Sequence, residues 1–396
     1  MKKSLLLTLL ILFTGIPSLS AGDRLRLGAD RMFEEPYLSW IRNKRVGLIT
    51  NQTGTTSDLV SLVELLRTRS DLELTALFGP EHGIAGAVQA GEKIASGPSV
   101  FSLYGETRSP TQEMLQDVDL LIYDIQDVGV RFYTYISTMF GSMQAASRKG
   151  IPFIVLDRPN PITGVTVSGP VLEPGRESFV GIHTLPIRYG MTVGELARLL
   201  RSETSLEVDL RVVPLEGWSR AEWYDATSLE WIAPSPNMPT LTTAILYPGF
   251  CLIEGTNLSE GRGTTRPFEL IGAPWLDSNR LAQRLNALHL PGVRFREQVF
   301  TPTFSKFVGE ACQGVQVHVT DRTQFEPVRA LLHLVREVRR LHPDQFEFRA
   351  SSWDRLAGNS WIREMLTRDA AVEEIENRWK ADLEKFEARR SPFLIY

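Results

Sequence analysis

Four short apolar runs, each continuous rather than alternating and each followed at once by polar residues, constrain this chain more than any other feature. They are Arg45–Thr50 (RVGLIT), Leu74–Phe78 (LTALF), Asp119–Tyr123 (DLLIY) and Pro152–Leu156 (PFIVL). A strand with one solvated face alternates apolar and polar residues, whereas a strand covered on both faces reads as an unbroken apolar run. Between the runs, Leu59, Leu62, Val63 and Leu66 recur at helical spacing within 57–67, and a second helical segment spans about 133–148. Such βα alternation implies a doubly wound parallel sheet, a Rossmann-like α/β domain.

In a parallel sheet the residues that follow the strands share one edge, and open α/β sheets bind their ligands there. That edge would carry Asn51-Gln52-Thr53-Gly54, Gly79-Pro80-Glu81-His82-Gly83, Asp124-Ile125-Gln126-Asp127 and Asp157-Arg158-Pro159-Asn160. Glu81 beside His82 puts a carboxylate next to an imidazole at a strand end. The same fragment also reads as a surface turn, with Gly79, Pro80 and Gly83 as punctuation. No Gly-x-Gly-x-x-Gly follows the first strand, so a dinucleotide is not indicated and no cofactor is expected.

Beyond a helix over 192–201 and a strand over 210–213 the character changes. Trp218, Trp223, Tyr224 and Trp231 precede the proline-rich 233–240, and the polar, glycine-rich 254–269 follows. That stretch is not a core element; it is either a structural loop bonding its own backbone or a binding loop. A helix over 278–288, an alternating strand over 314–320, an amphipathic helix over 327–341 and a charged terminal helix over 370–389 make up a smaller α+β region. His318 on that strand reads as a surface residue. The expected division is 22–247 for the Rossmann-like domain and 248–396 for the smaller one.

The chain opens Met1-Lys2-Lys3, an apolar run from Leu5 to Phe13, and Ser18-Leu19-Ser20-Ala21, the pattern of a cleavable export signal over 1–20. The run is shorter than the roughly 20 residues a membrane span needs, so a periplasmic or secreted protein without stable membrane insertion is expected. A net charge of -4 with scattered Lys and Arg argues against nucleic-acid partners. Cys251 and Cys312 read as two isolated buried thiols in preference to a disulfide. The six His lack metal-ligand spacing, so no metal site is expected.

Several of these segments together are similar to one family. GLITNQTG at 47–54, FGPEHG at 78–83, DIQDVGVRFYTYISTM at 124–139, DRPNPI at 157–162, PSPNMPTL at 234–241 and EGTNLSEGRGTTRPFE at 254–269 resemble the exo-β-N-acetylmuramidases of the NamZ type, formerly the DUF1343 or YbbC-like group. The resemblance runs from about Arg45 to the C-terminal region. It implies a Rossmann-like domain, a smaller C-terminal domain, and a cleft between them that removes N-acetylmuramic acid from the non-reducing ends of peptidoglycan fragments. Endo-acting glycosidases and amidases would supply those fragments.

Glycoside cleavage needs a proton donor at the leaving oxygen and stabilisation of an oxocarbenium-like transition state. The resemblance points to Glu81 as the acid, with His82 orienting it or binding substrate. For the second group the order is Glu254, then Asp124, then Asp127; Glu260 and Glu269 read as partners of Arg262 or Arg266. The substrate's own acetamido carbonyl is an alternative nucleophile. Muramic acid carries a lactyl carboxylate, which suits a guanidinium fork from Arg158, Arg131, Arg262 or Arg266, with one of the last two favoured. Asn51, Gln52, Asn237 and Asn257 complete the substrate-binding candidates, and Tyr133, Trp218 and Trp231 either stack on sugar or fill the core. The competing functions are a β-N-acetylglucosaminidase and a non-catalytic periplasmic carbohydrate-binding protein.

Overall fold

The structure is a computed structural model that describes residues 25–84 and 98–396; the export signal expected over 1–20 lies outside the described residues. The strands, in chain order, are β1 (Arg45–Thr50), β2 (Glu73–Gly79), β3 (Ser99–Ser102), β4 (Leu120–Asp124), β5 (Phe153–Leu156), β6 (Ser168–Val171), β7 (Pro186–Arg188), β8 (Leu210–Val213), β9 (Leu270–Ala273), β10 (Val293–Phe300) and β11 (Cys312–Val319). Six of them form one sheet in the order β3-β2-β1-β4-β5-β8, with every neighbouring pair parallel. The chain moves outward from β1 to β3, returns to β4 beside β1, and continues the other way. Strand order therefore reverses between β1 and β4, opening a crevice at their carboxyl ends.

Burial on both faces accounts for the unbroken apolar runs. Val46, Leu48, Leu120, Ile122 and Ile154 pack with Leu62 and Leu66 on one side, and Ile49, Leu121, Tyr123, Phe153 and Val155 pack with the other face's helices on the opposite side. Those helices are Tyr135–Lys149, which ends at Gly150 in the left-handed conformation, and Val193–Glu203, which starts in a reciprocal capping box between Thr192 and Glu195. The smaller region holds an antiparallel sheet, β10-β11-β9, with helices Leu241–Phe250, Ser278–Ala287 and Pro327–Leu341. His318 is exposed, and Cys251 and Cys312 are buried and unpaired. Among the described residues no helix is long and apolar enough to cross a membrane.

Three expectations change. The helix expected over 57–67 is only Leu62–Arg67, because Leu59 takes a positive φ of 63° and the Thr56 hydroxyl accepts from the Val60 amide, a local turn that competes with helix. The terminal helix over 370–389 is two helices, Val372–Asn377 and Lys380–Arg390, interrupted where Trp379 turns inward beside Trp361. The stretch 254–269 is irregular, yet Leu258, Ser259, Glu260, Phe268 and Glu269 are buried, with Ser259 bridging Gly272 of β9. Much of its polar character reflects hydrogen bonding inside the protein, while Thr265 and Arg266 face solvent.

Candidate active site

The carboxyl end of β2, the start of the helix Tyr135–Lys149 and the loop before Leu241 meet the 254–269 stretch around a narrow cleft. Phe132, Met238, Tyr247 and Phe268 supply its apolar surface; Glu81, His82, Thr134, Asn237 and Arg262 supply the polar groups. The Tyr133 ring meets Tyr135 and Tyr247 edge-on at 4.8 and 5.7 Å. Residues of both regions line this cleft, which combines aromatic faces with a few fixed polar groups, as sugar sites do.

Glu81 is presented by a tight turn. The Gly83 amide donates to the Pro80 carbonyl at 2.9 Å, and His82 and Gly83 both have positive φ, 72° and 74°. A histidine held left-handed is strained, which marks the turn as over-determined by its surroundings. Thr134 stands at the N-terminus of the helix but does not cap it; its hydroxyl donates to Glu81 Oε2 at 2.8 Å. Tyr104 is half exposed beyond β3, and burial together with the nearby Glu81 carboxylate pushes its phenol above the ordinary range. Burial lowers the pKa of His82, Arg262 adds to this, and Glu81 opposes it. The imidazole is therefore neutral at pH 7.

Arg262 faces the cleft from the second region, its guanidinium 5.2 Å from the centre of the Phe268 ring. Its Nη2 donates to Glu254 Oε1 at 2.7 Å, and its Nε lies 3.6 Å from Glu260 Oε1. Glu260 in turn pairs with Lys306 at 3.1 Å, and Lys306 donates to the carbonyls of Ile253 and Leu258 at 3.0 and 2.8 Å. Burial opposes the charge on Arg262, but Glu254 outweighs it and holds the guanidinium protonated. The result is a chain of alternating charge, Glu254, Arg262, Glu260, Lys306, whose Arg262 end reaches the cleft.

The structure brings Glu81, His82, Tyr133, Asn237 and Arg262 together, and places the other expected site residues elsewhere. Asn51 and Gln52 donate to the carbonyls of Pro234 and Ala233, so they hold the 233–240 loop. Asp124 is fully buried in a two-point pair with Arg158, at 2.6 and 2.9 Å, and Arg158 also bonds the Thr55 carbonyl. Asp127 is sealed against the Gly129 amide and the Tyr189 hydroxyl; burial raises its pKa to about 6. Arg131, also sealed, donates to the carbonyls of Pro170, Leu185 and Leu356, and burial lowers its pKa to about 9. Asn257 bonds Gln345 and Glu347 across to a neighbouring loop, and Arg266 pairs with Glu269 at 2.9 Å. Trp218 packs on Tyr396, and Trp231 packs on Tyr224.

Sequence reasoning missed Tyr104, Thr134, Tyr247 and Phe268 as cleft or Glu81 contacts. Thr134 had a signal, a hydroxyl residue at a helix start within a motif stretch; Tyr104 had none, since β3 is a short, half-buried strand. Among the described residues no group of three His, Cys, Asp or Glu is placed to hold a metal.

A carboxylate at the carboxyl edge of a parallel sheet, facing aromatic rings and one cation from a second lobe, defines a two-lobed α/β protein with a small polar cleft. The chain belongs to the exo-beta-N-acetylmuramidase NamZ family of glycosidases: the family's N-terminal model matches residues 46–242 and its C-terminal model 245–396. It is 50% identical over 380 residues to the peptidoglycan beta-N-acetylmuramidase NamZ of Bacillus subtilis (strain 168), covering 94% of this chain and 92% of that protein. Two crystal structures of DUF1343 family proteins from Bacteroides fragilis NCTC 9343 superpose over 94% of this chain and 99% of theirs. They have TM-scores of 0.88 and 0.76 and sequence identities of 39% and 31%.

Proposed function

We propose that this protein is an exo-acting β-N-acetylmuramidase that releases N-acetylmuramic acid from the non-reducing ends of peptidoglycan fragments. The observation that carries the reading is the pairing of Glu81 with Thr134 at the wall of a cleft lined by aromatic rings and by Arg262. Glu81 is the group placed to protonate the leaving oxygen. It is a carboxyl side chain lining the cleft on a fixed turn, with the Thr134 hydroxyl to orient it. His82, neutral beside it, bonds a sugar hydroxyl or keeps Glu81 in place. Tyr133, Tyr247 and Phe268 offer ring faces to the sugar, and Asn237 offers an amide.

The carboxylates ranked for the second role are engaged otherwise. Asp124 and Asp127 are sealed in the sheet edge, and Glu254 is bonded to Arg262. This arrangement favours participation of the substrate's own 2-acetamido group, a recognised departure from the two-carboxylate scheme. The leader-like residues 1–20 support export to the periplasm or beyond, where endo-glycosidases and amidases would generate the ends on which an exo-enzyme acts.

Incubation of the protein with the defined disaccharide β-1,4 MurNAc-GlcNAc and with the reverse GlcNAc-MurNAc tests the reading. Release of monosaccharides from the first alone is the expected result; cleavage of the second alone would identify a glucosaminidase instead.

A further inference from the structure

We infer that Arg262 is the residue by which the cleft selects a muramyl over a glucosaminyl sugar, its guanidinium taking the lactyl carboxylate. The inference rests on the muramidase reading and names the group behind its selectivity. Muramic acid differs from glucosamine by a lactyl ether on O3 that ends in a carboxylate, and a fixed cation within reach of a sugar whose glycosidic oxygen lies at Glu81 recognises that charge.

Of the four arginines offered by the sequence, three are excluded by where they lie. Arg131 and Arg158 are buried and held by backbone carbonyls or Asp124. Arg266 is spent on Glu269 and does not line the cleft. Arg108, whose charge is felt at Tyr104, stacks over Phe179 and is not a lining residue either. Among the described residues that line the cleft, Arg262 alone carries a permanent positive charge. Its field reaches both His82 and Tyr104, the two residues flanking Glu81.

The guanidinium is also prepared for an anion. A guanidinium has five N–H donors. Glu254 takes one from Nη2, and Glu260 lies along the Nε edge, so the two clamp one side of the plane. Among the described residues Nη1 has no hydrogen-bond acceptor. The side chain is 28% exposed, and Phe268 supports its face. The free edge therefore presents Nη1 and the second N–H of Nη2, a fork that matches a carboxylate. Lys306 completes the device by neutralising Glu260, so that two carboxylates position Arg262 without cancelling it.

The test uses aryl β-glycosides of N-acetylmuramic acid, of the same sugar with its lactyl carboxyl converted to an amide, and of N-acetylglucosamine. The wild type, Arg262→Gln, Arg262→Lys and Arg266→Gln are compared by kcat/KM and by the Tm shift that free N-acetylmuramic acid and N-acetylglucosamine produce. The expected result is an acid-to-amide preference that falls about 10- to 100-fold in Arg262→Gln, the scale of one charge-assisted hydrogen-bonded pair. Arg262→Lys recovers part of it, and Arg266→Gln keeps it. If Arg262→Gln has no turnover at all, loss of the stabilisation specific to N-acetylmuramic acid supports the inference. An unchanged acid-to-amide ratio, or unchanged stabilisation by N-acetylmuramic acid, overturns it. A wild type silent on both muramyl compounds and active on the glucosaminyl one refutes the muramidase reading itself, a separate outcome.

Discussion

Thr134 stands where a helix N-cap residue would normally bond its own helix, and instead donates its hydroxyl to Glu81 across 53 positions of sequence, at 2.8 Å. The helix gives up a cap that is typically worth about 1 kcal/mol. In return, a carboxyl group on a strained turn acquires a fixed direction.

A positioning role for Thr134 predicts that Thr134→Val lowers kcat on a muramyl substrate about tenfold while KM changes little, whereas Thr134→Ser retains most of the rate. Steady-state kinetics of the two variants check this. Equal losses in kcat and KM for the valine and serine forms would mean that the contact is merely structural.

Glu254 is a positioning residue in this account, since it holds Arg262 at 2.7 Å. Glu254→Gln should then act mainly through KM for the muramyl acid, by about tenfold, and leave the rate on its lactyl-amide analogue far less affected. A catalytic carboxylate would instead cost kcat on both, by a factor on the order of 10² or more.

Asp127 lends the fold a pH dependence of known sign. Burial raises its folded-state pKa to about 6 from the ordinary carboxylate range, with Tyr189 and the Gly129 amide only partly offsetting this. The folded state thus holds the proton more tightly than the unfolded chain. Stability from this group is complete below the unfolded pKa and is lost as pH rises through about 6, by roughly 2–3 kcal/mol. Asp127→Asn keeps an oxygen to accept the same bonds and should flatten the pH dependence of Tm between about pH 4 and 6. An unaltered Tm profile in the variant would show that Asp127 does not titrate there.

Arg131 joins the backbone of the β6–β7 ribbon to Leu356 in the C-terminal region through three carbonyls. Arg131→Met leaves those acceptors buried without donors, so a loss of about 3–5 kcal/mol is expected, with the sugar preference unaltered. Chemical denaturation measures the first, and the aryl-glycoside ratio the second. A selective loss of muramyl turnover without loss of stability would return Arg131 to the substrate.

The sheet was legible because its strands are buried on both faces: Val46, Leu48, Leu121 and Tyr123 all point into apolar layers, so the sequence runs unbroken. β10 was not legible. Its inward Val293, Phe295 and Phe300 are separated by exposed Arg294, Arg296 and Glu297, and the alternation breaks before Phe300. The site was legible as a set of motifs but not as a set of contacts. Charge type alone does not separate Arg262, whose guanidinium edge opens on the cleft, from Arg131 and Arg158, whose charges are consumed inside the fold. Asp124 and Asp127 likewise sit on the carboxyl edge that the strand pattern indicates, one residue layer too deep to meet a sugar.

The central claim is that Glu81 delivers the proton in muramyl glycoside cleavage. Its most direct test is chromophore release by the wild type and by Glu81→Gln from aryl β-glycosides of N-acetylmuramic acid that differ in leaving-group pKa, with binding of free N-acetylmuramic acid measured in parallel. The account predicts that the variant binds the sugar as the wild type does, loses at least about 10²-fold in kcat, and loses most on the poorest leaving group, which depends most on protonation. Turnover close to wild type in Glu81→Gln, with the same dependence on the leaving group, would contradict it.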